Sequence, residues 1–163
     1  MSVSSRIGPV RRDSSLPSML TPDTIRLGVQ VGGWREAVRE VGKLLVASGA
    51  VEPRYVDAMI AMVEEIGPYI VIAPGVALPH ARPEDGVKRA CIGLLTLDPP
   101  VNFGNESNDP VSLVVAFGAP ESQKHLDALR DVARLLQDSV RLGRLKAASN
   151  VDEVLEVIAP SRS

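Results

Sequence analysis

A single cysteine, Cys91, stands in 163 residues, so no internal disulfide is available. Its place in the apolar run from Ala90 to Leu97 suits a small hydrophobe, and a reducing compartment is the expectation. No stretch approaches the roughly eighteen uninterrupted apolar residues that a membrane-spanning helix needs, and the N-terminus lacks the apolar core of a secretion signal. Charge of one sign is also lacking: 18 Lys and Arg stand against 20 Asp and Glu, a formal net charge of −2. The only basic cluster, Arg6 with Arg11 and Arg12, lies in a stretch rich in Ser and Pro, so bulk attraction to nucleic acid or to an anionic membrane is not indicated. No internal repeat is visible. These absences leave a cytoplasmic protein as the expectation.

What is present suits one globular domain, since 45% of the residues are hydrophobic. Residues 1–18 mix Ser, Arg, Pro and Gly without periodicity and read as a disordered leader, with the domain proper over residues 19–160. Thr24 to Val31 alternates, with Ile25, Leu27, Val29 and Val31 on one side, as a half-buried strand does. From Trp34 the spacing turns helical through Val38, Val41 and Leu45, and Gly49 supplies a left-handed cap. Pro53 suits the first turn of a second helix with a stripe of Val56, Ile60 and Val63, ended by Gly67 and Pro68. Tyr69 to Ala73, Ala90 to Leu97 and Val111 to Phe117 are further strands. A helix over 122–137 buries Leu126, Leu129, Val132, Ala133 and Leu136, and shorter helices cover 141–147 and 151–158. Such interleaving predicts an α/β protein, a three-layer α/β/α sandwich around a small mixed β-sheet.

The stretch GVALPHARPEDG sets His80 in a loop between two prolines. Proline restricts the residue before it to extended conformations, so Leu78 and Arg82 are held there and the chain around His80 is stiff. In an extended segment side chains two apart share a face, which puts His80 beside Arg82. The second histidine, His125, falls in the first turn of its helix, in line with Leu129, Val132 and Leu136, and faces the protein. A helix N-terminus favours negative charge, so two histidines, Arg82 and a helix end can together cradle a phosphate. The plainer alternatives are a loop histidine bonded to backbone and a satisfied core histidine. The polar loop over 102–110, dense in Asn, Gly, Ser and Asp, is a second place where a site can border.

These segments resemble the enzyme IIA proteins of the bacterial sugar phosphotransferase system, of the mannitol and fructose type. GVALPHARPEDGV resembles the family's active-site segment, VNFGNESNDPVSLVVAFGAP its central strand region, and HLDALRDVARLL the helix with its second histidine. ALPHARPE followed by NDPV is most similar to the ascorbate-type branch. The resemblance covers roughly residues 19–158 and implies the same three-layer fold. It implies a cytoplasmic protein-histidine phosphotransferase in which His80 accepts a phosphoryl group from phosphorylated HPr, the donor, and passes it to the sugar-specific enzyme IIB, the acceptor. The family's use of Nε2 requires Nδ1–H to be held by an acceptor, for which a backbone carbonyl of the stiff loop is suited. His125 would hydrogen-bond the phosphoryl oxygens, and the scheme needs no metal or cofactor.

The chain departs from the family's pattern in one place. Mannitol and fructose members carry an arginine in the helix before the active-site segment, where this chain reads AMIAMVEEIGPY. Arg82 therefore gains weight as the electrostatic partner, and Glu64 or Glu65 becomes a candidate for orienting a histidine, against the alternative of a solvated helix face. Ala73, Val76, Ala77 and Leu78 are candidates for the apolar part of a docking surface, with core packing as the alternative. A regulatory IIA-like module that signals through its phosphorylation state is the second functional reading. A zinc hydrolase is a third, and it would have to recruit Cys91 or Asp109 without recognisable metal spacing. The sequence leaves the carbohydrate and any homo-oligomer open.

Overall fold

The β4 strand, Cys91–Val101, and the β5 strand, Val111–Gly118, pair antiparallel and are buried along most of their length. Ile92 and Leu94 of β4, with Leu113, Val115 and Phe117 of β5, face one hydrophobic core, while Cys91, Leu95 and Leu97, with Val114 and Ala116, face the other. A strand covered on both faces reads as a continuous apolar run, which is the form both segments take in the sequence. Around this pair the sheet is mixed, in the order β1-β4-β5-β3-β2, with β1 at Ile25–Val29, β2 at Val71–Ala73 and β3 at Val76–Ala77. β1 runs parallel to β4, β3 runs parallel to β5, and β2 closes the far edge antiparallel to β3. This computed structural model describes residues 15–159.

Helix α1 is Ser15–Met19, α2 is Trp34–Ala47, α3 is Pro53–Ile66, α4 is Ser122–Gln137, α5 is Ser139–Ala147 and α6 is Val151–Ile158. The core on one face of the sheet is filled by α2 and α3, and that on the other by α1, α4, α5 and α6, which is the three-layer sandwich expected. α2 ends where the sequence places its stop. Gly49 has φ +83°, and the Gly49 and Ala50 amides donate to the Val46 and Leu45 carbonyls, the paired bonds of a Schellman cap. Close approach of α2 to α3 depends on Gly42, since a Cβ there would stand 2.7 Å from a Val56 methyl.

Several expectations are corrected. Of the leader expected over 1–18, residues 1–14 lie outside those described, but 15–18 belong to α1, which buries Leu16 and Met19 in the α4 side of the core. The α3 stripe runs through Tyr55, Met59, Ile60 and Val63, while Val56 is half-buried against α2. Leu126 is 51% exposed: α4 turns Ala128, Val132, Leu135 and Leu136 inward, and two residues before Ala128, at about 100° per residue, lies nearly the opposite side of the helix. The alternation through β1 is broken as well. Gly28 has φ +66° at an irregularity in the register, so Ile25 faces the α4 core while Val29 faces the α2 core.

Candidate active site

The segment after β3 is pinned from three sides. The Phe117 amide of β5 donates to the Pro79 carbonyl at 3.3 Å, and the Ala81 amide donates to the Tyr55 hydroxyl at 3.0 Å. Arg82 is extended, at φ −92° and ψ 158°, as its following proline demands, and its amide donates to Asp85 Oδ2. Between these ties His80 sets its ring on that of Phe117, with centroids 4.9 Å apart and planes at 25°. His80 Nδ1 lies 2.8 Å from the Leu78 carbonyl oxygen. A carbonyl only accepts, so Nδ1 carries the proton and Nε2 keeps its lone pair.

His125 approaches from the first turn of α4. Its ring centroid lies 5.8 Å from that of His80 and 5.2 Å from Phe117, so one phenylalanine underlies both imidazoles. Its Nδ1 is buried without a hydrogen-bond partner, and a proton placed there would be an unsatisfied buried donor. Burial, then the neighbouring His80, hold its pKa below the ordinary value, with Glu84 opposing them. The neutral ring thus carries its proton on Nε2 and is a donor without formal charge. The N-terminus of α4 has no side-chain cap, since Glu121 makes no capping hydrogen bond. Its first amides and the helix dipole make that end favourable to an anion.

A surface cavity of about 440 Å³ joins these groups, lined by His80, Arg82, Glu84, Ser122, His125 and Leu126 among others. Arg82 shares this cavity with both histidines, as the two-residue offset predicts. Glu64 does not: it pairs with Arg35 of α2 at 2.8 Å, where that guanidinium also lies over the Trp34 ring. Glu65 is exposed and lines no cavity at His80. The docking candidates Val76, Ala77 and Leu78 are 0%, 0% and 2% exposed, and Ala73 is half-buried against the core on the α4 side. Both faces of the sheet are covered at β3, so Val76 points into the α4-side core and Ala77 into the α2-side core. The large apolar groups left at the surface nearby are Ile66, Tyr69, Ile72 and Leu126. All but Leu126 line, with His80, an apolar hollow of about 210 Å³.

Two groups in this arrangement escape sequence reasoning. Phe117 reads as one more apolar strand residue, and Tyr55 lies outside the stripe of Val56, Ile60 and Val63 that the spacing predicts. Only the pairing of β3 with β5, and the docking of α3 beneath, brings them to His80. The polar loop over 102–110 does not border the site. It joins β4 to β5 at the end of β5 remote from Phe117, and its Asn105 and Asn108 side chains donate to the Val71 carbonyl. Cys91 is buried, its thiol pushed up to about 11 by that burial, and Asp109 is bonded to amides of the loop. Among the described residues, no group of three or more His, Cys, Asp or Glu is placed to hold a metal ion.

The family model described as "Phosphoenolpyruvate-dependent sugar phosphotransferase system, EIIA 2" matches residues 18–160. The chain belongs to that family. Among EIIA relatives, the "Ascorbate-specific PTS system EIIA component" of Salmonella choleraesuis (strain SC-B67) is 41% identical over 142 residues, covering 86% of this chain and 92% of the relative. The solution structure of the mannitol-specific cryptic phosphotransferase enzyme IIA CmtB from Escherichia coli superposes with a TM-score of 0.81 at 28% identity, covering 92% of this chain and 99% of that one. Enzyme IIAMtl of Escherichia coli, solved in complex with phosphorylated enzyme IIBMtl, has a TM-score of 0.76 at 29% identity, over 88% and 100% of the two chains. The EIIA assignment and the three-layer fold expected from the sequence agree with these findings. No helix among the described residues is long and apolar enough to cross a membrane.

Proposed function

We propose that this EIIA chain is a cytoplasmic phosphocarrier that takes a phosphoryl group from phosphorylated HPr onto His80 Nε2 and delivers it to an enzyme IIB, in a system for ascorbate or a related carbohydrate. The observation that carries this reading is the 2.8 Å hydrogen bond between His80 Nδ1 and the Leu78 carbonyl. It leaves one nitrogen with a lone pair and fixes the ring that bears it. In the first step the P–N bond at the donor breaks as a P–N bond to His80 Nε2 forms; in the second that bond breaks as phosphorus is taken by the nucleophile of enzyme IIB, and the departing His80 ring retains the bonding pair. Such a transfer passes through a loose, in-line arrangement, so position and compensating partial charge are what the protein supplies.

His125 supplies an uncharged N–H to the phosphoryl oxygens, the α4 N-terminus adds its dipole, and Arg82 adds an exposed positive charge at the cavity rim. The phosphoramidate formed is reactive enough to be handed on. Two partners must dock in turn, and Ile66, Tyr69, Ile72 and Leu126 surround His80 with exposed apolar surface suited to a weak, short-lived contact. Ascorbate enters through the names of the relatives, and the regulatory alternative is not favoured beside them. Incubation with phosphorylated HPr tests the reading. The wild type is expected to take up label and pass it to a purified ascorbate-type enzyme IIB, and His80→Gln to take up none. Undiminished labelling of His80→Gln removes the proposal.

A further inference from the structure

Tyr55 is wholly buried, 25 residues before His80, and its hydroxyl joins the His80 loop to the end of β5. It accepts from the Ala81 amide at 3.0 Å and donates to the Phe117 carbonyl at 2.7 Å. The first bond holds the residue that follows His80. The second holds the residue whose ring underlies both imidazoles. Burial pushes the phenol above its ordinary range, so the hydroxyl keeps the proton that it donates. A structural need for a large buried side chain at this point of α3 would be met as well by phenylalanine, which carries no burial cost for a hydroxyl. The oxygen instead sits where the two amide groups flanking the reacting ring converge, and it makes one bond of each polarity.

We infer that Tyr55 is a positioning residue for phosphoryl transfer, its hydroxyl setting the separation between the His80 loop and the end of β5 and with it the stacking of His80 on Phe117. This rests on the phosphocarrier reading and extends it to a residue that touches neither phosphate nor partner. Without the hydroxyl, the Ala81 amide loses its acceptor in a buried place, and the loop must shift to find another. The Nδ1 bond to Leu78 lies within the same stretch, so a shift there frees the ring to exchange its proton between nitrogens. Displacement of a reacting group by about 1 Å can cost about a hundredfold in rate.

The test uses the full chain with phosphorylated HPr as donor and follows rate together with the ¹⁵N spectrum of the histidine rings. Tyr55→Phe is expected to lower kcat about tenfold to a hundredfold with KM for the donor nearly unchanged, because the exposed docking residues are not altered. The His80 ring is expected to move from the single Nδ1–H tautomer to a mixture. Asp109→Asn, in the loop at the opposite end of β5, controls for lost stability, and it is expected to lower the melting temperature without either change. A wild-type rate and ring spectrum in Tyr55→Phe would overturn the inference, as would an equal slowing by Asp109→Asn. Should Tyr55→Phe fail to fold, Gly118→Ala decides in its place. A Cβ there stands 3.2 Å from the Tyr55 hydroxyl and 3.3 Å from the ring carbon that bears it, with a Val87 methyl at 3.1 Å, so it presses the hydroxyl aside by a few tenths of an ångström without removing it, and an unmoved rate and ring spectrum would be equally fatal. Absence of label on wild-type His80 would instead strike the phosphocarrier reading, while the ring spectra still judge the placement by Tyr55.

Discussion

The two ends of β5 are both rich in polar side chains, yet they are organised in opposite ways. At the end where the chain enters from residues 102–110, Asp109 accepts from the amides of Phe103, Gly104 and Asn105, each at 2.9 Å. Asn105 and Asn108 reach across to the carbonyls of Pro68 and Val71. The polar groups of that loop are turned on its own backbone and its neighbours. At the other end, His125 Nδ1 has no partner, α4 begins without a side-chain cap, and the Arg82 side chain reaches a cavity that both histidines line. Density of polar residues therefore does not mark the site. Hydrogen-bonding capacity that the fold leaves unused does.

Substitutions at each end should separate these two kinds of polarity. The largest effect is expected from His125→Ala, which removes a donor from the transfer but leaves the nucleophile: labelling of His80 by phosphorylated HPr should slow about a hundredfold in a rapid-quench assay. Asp109→Asn, at the opposite end, exchanges an acceptor of amide protons for a neutral group with one acceptor fewer. It should lower unfolding free energy by about 2 kcal/mol in a denaturant titration and leave the labelling rate as it was. A slowed rate in that variant would join the two ends that the comparison holds apart. Arg82→Ala should slow labelling only about twofold to fivefold, because an exposed charge is worth less than about 1 kcal/mol. The reduction should shrink further in high salt.

The smallest effect concerns pH. With its pKa held down in the folded protein, His125 binds a proton less readily there than in the unfolded chain. Between the folded value and the ordinary 6.5, the unfolded state holds more protons, so stability rises with pH through that interval and is lost as the solution is acidified through it. Denaturant midpoints taken at steps below neutrality should show this slope in the wild type and a flatter one in His125→Gln.

Much of this was legible in the residues, and the parts that were not share a cause. α4 and α6 stand at the limits that their spacing predicts, α2 stops at Gly49, and the stiff loop supplies the carbonyl that His80 requires. Those features depend on local spacing and on proline and glycine stereochemistry. The failures concern which side of an element meets its neighbour. Val76 to Leu78 read as a plausible surface because β3 is only two residues long, too short for any period, and its burial comes from the layers packed on both faces of the sheet. Leu126 departs for the same reason, α4 being rotated by contacts distant in sequence, whereas Glu64 takes the solvated helix face that stood as its alternative, paired there with Arg35. Phe117 and Tyr55 carry no local signal: one is an apolar residue in an apolar strand, the other a buried phenol that keeps its proton, and their contribution is to place the two histidines.

The Gly28 irregularity carries a consequence for how the domain comes apart. β1 is an edge strand with a single neighbour, the kind of element that ordinarily frays before the rest. Here its first residue is sunk on one side of the sheet and its last on the other, so peeling it away opens both apolar layers to water together. Amide exchange along Ile25–Val29 should then follow the slow, global opening of the molecule and not the faster breathing of a margin, making this short edge a seam through which the two layers melt as one.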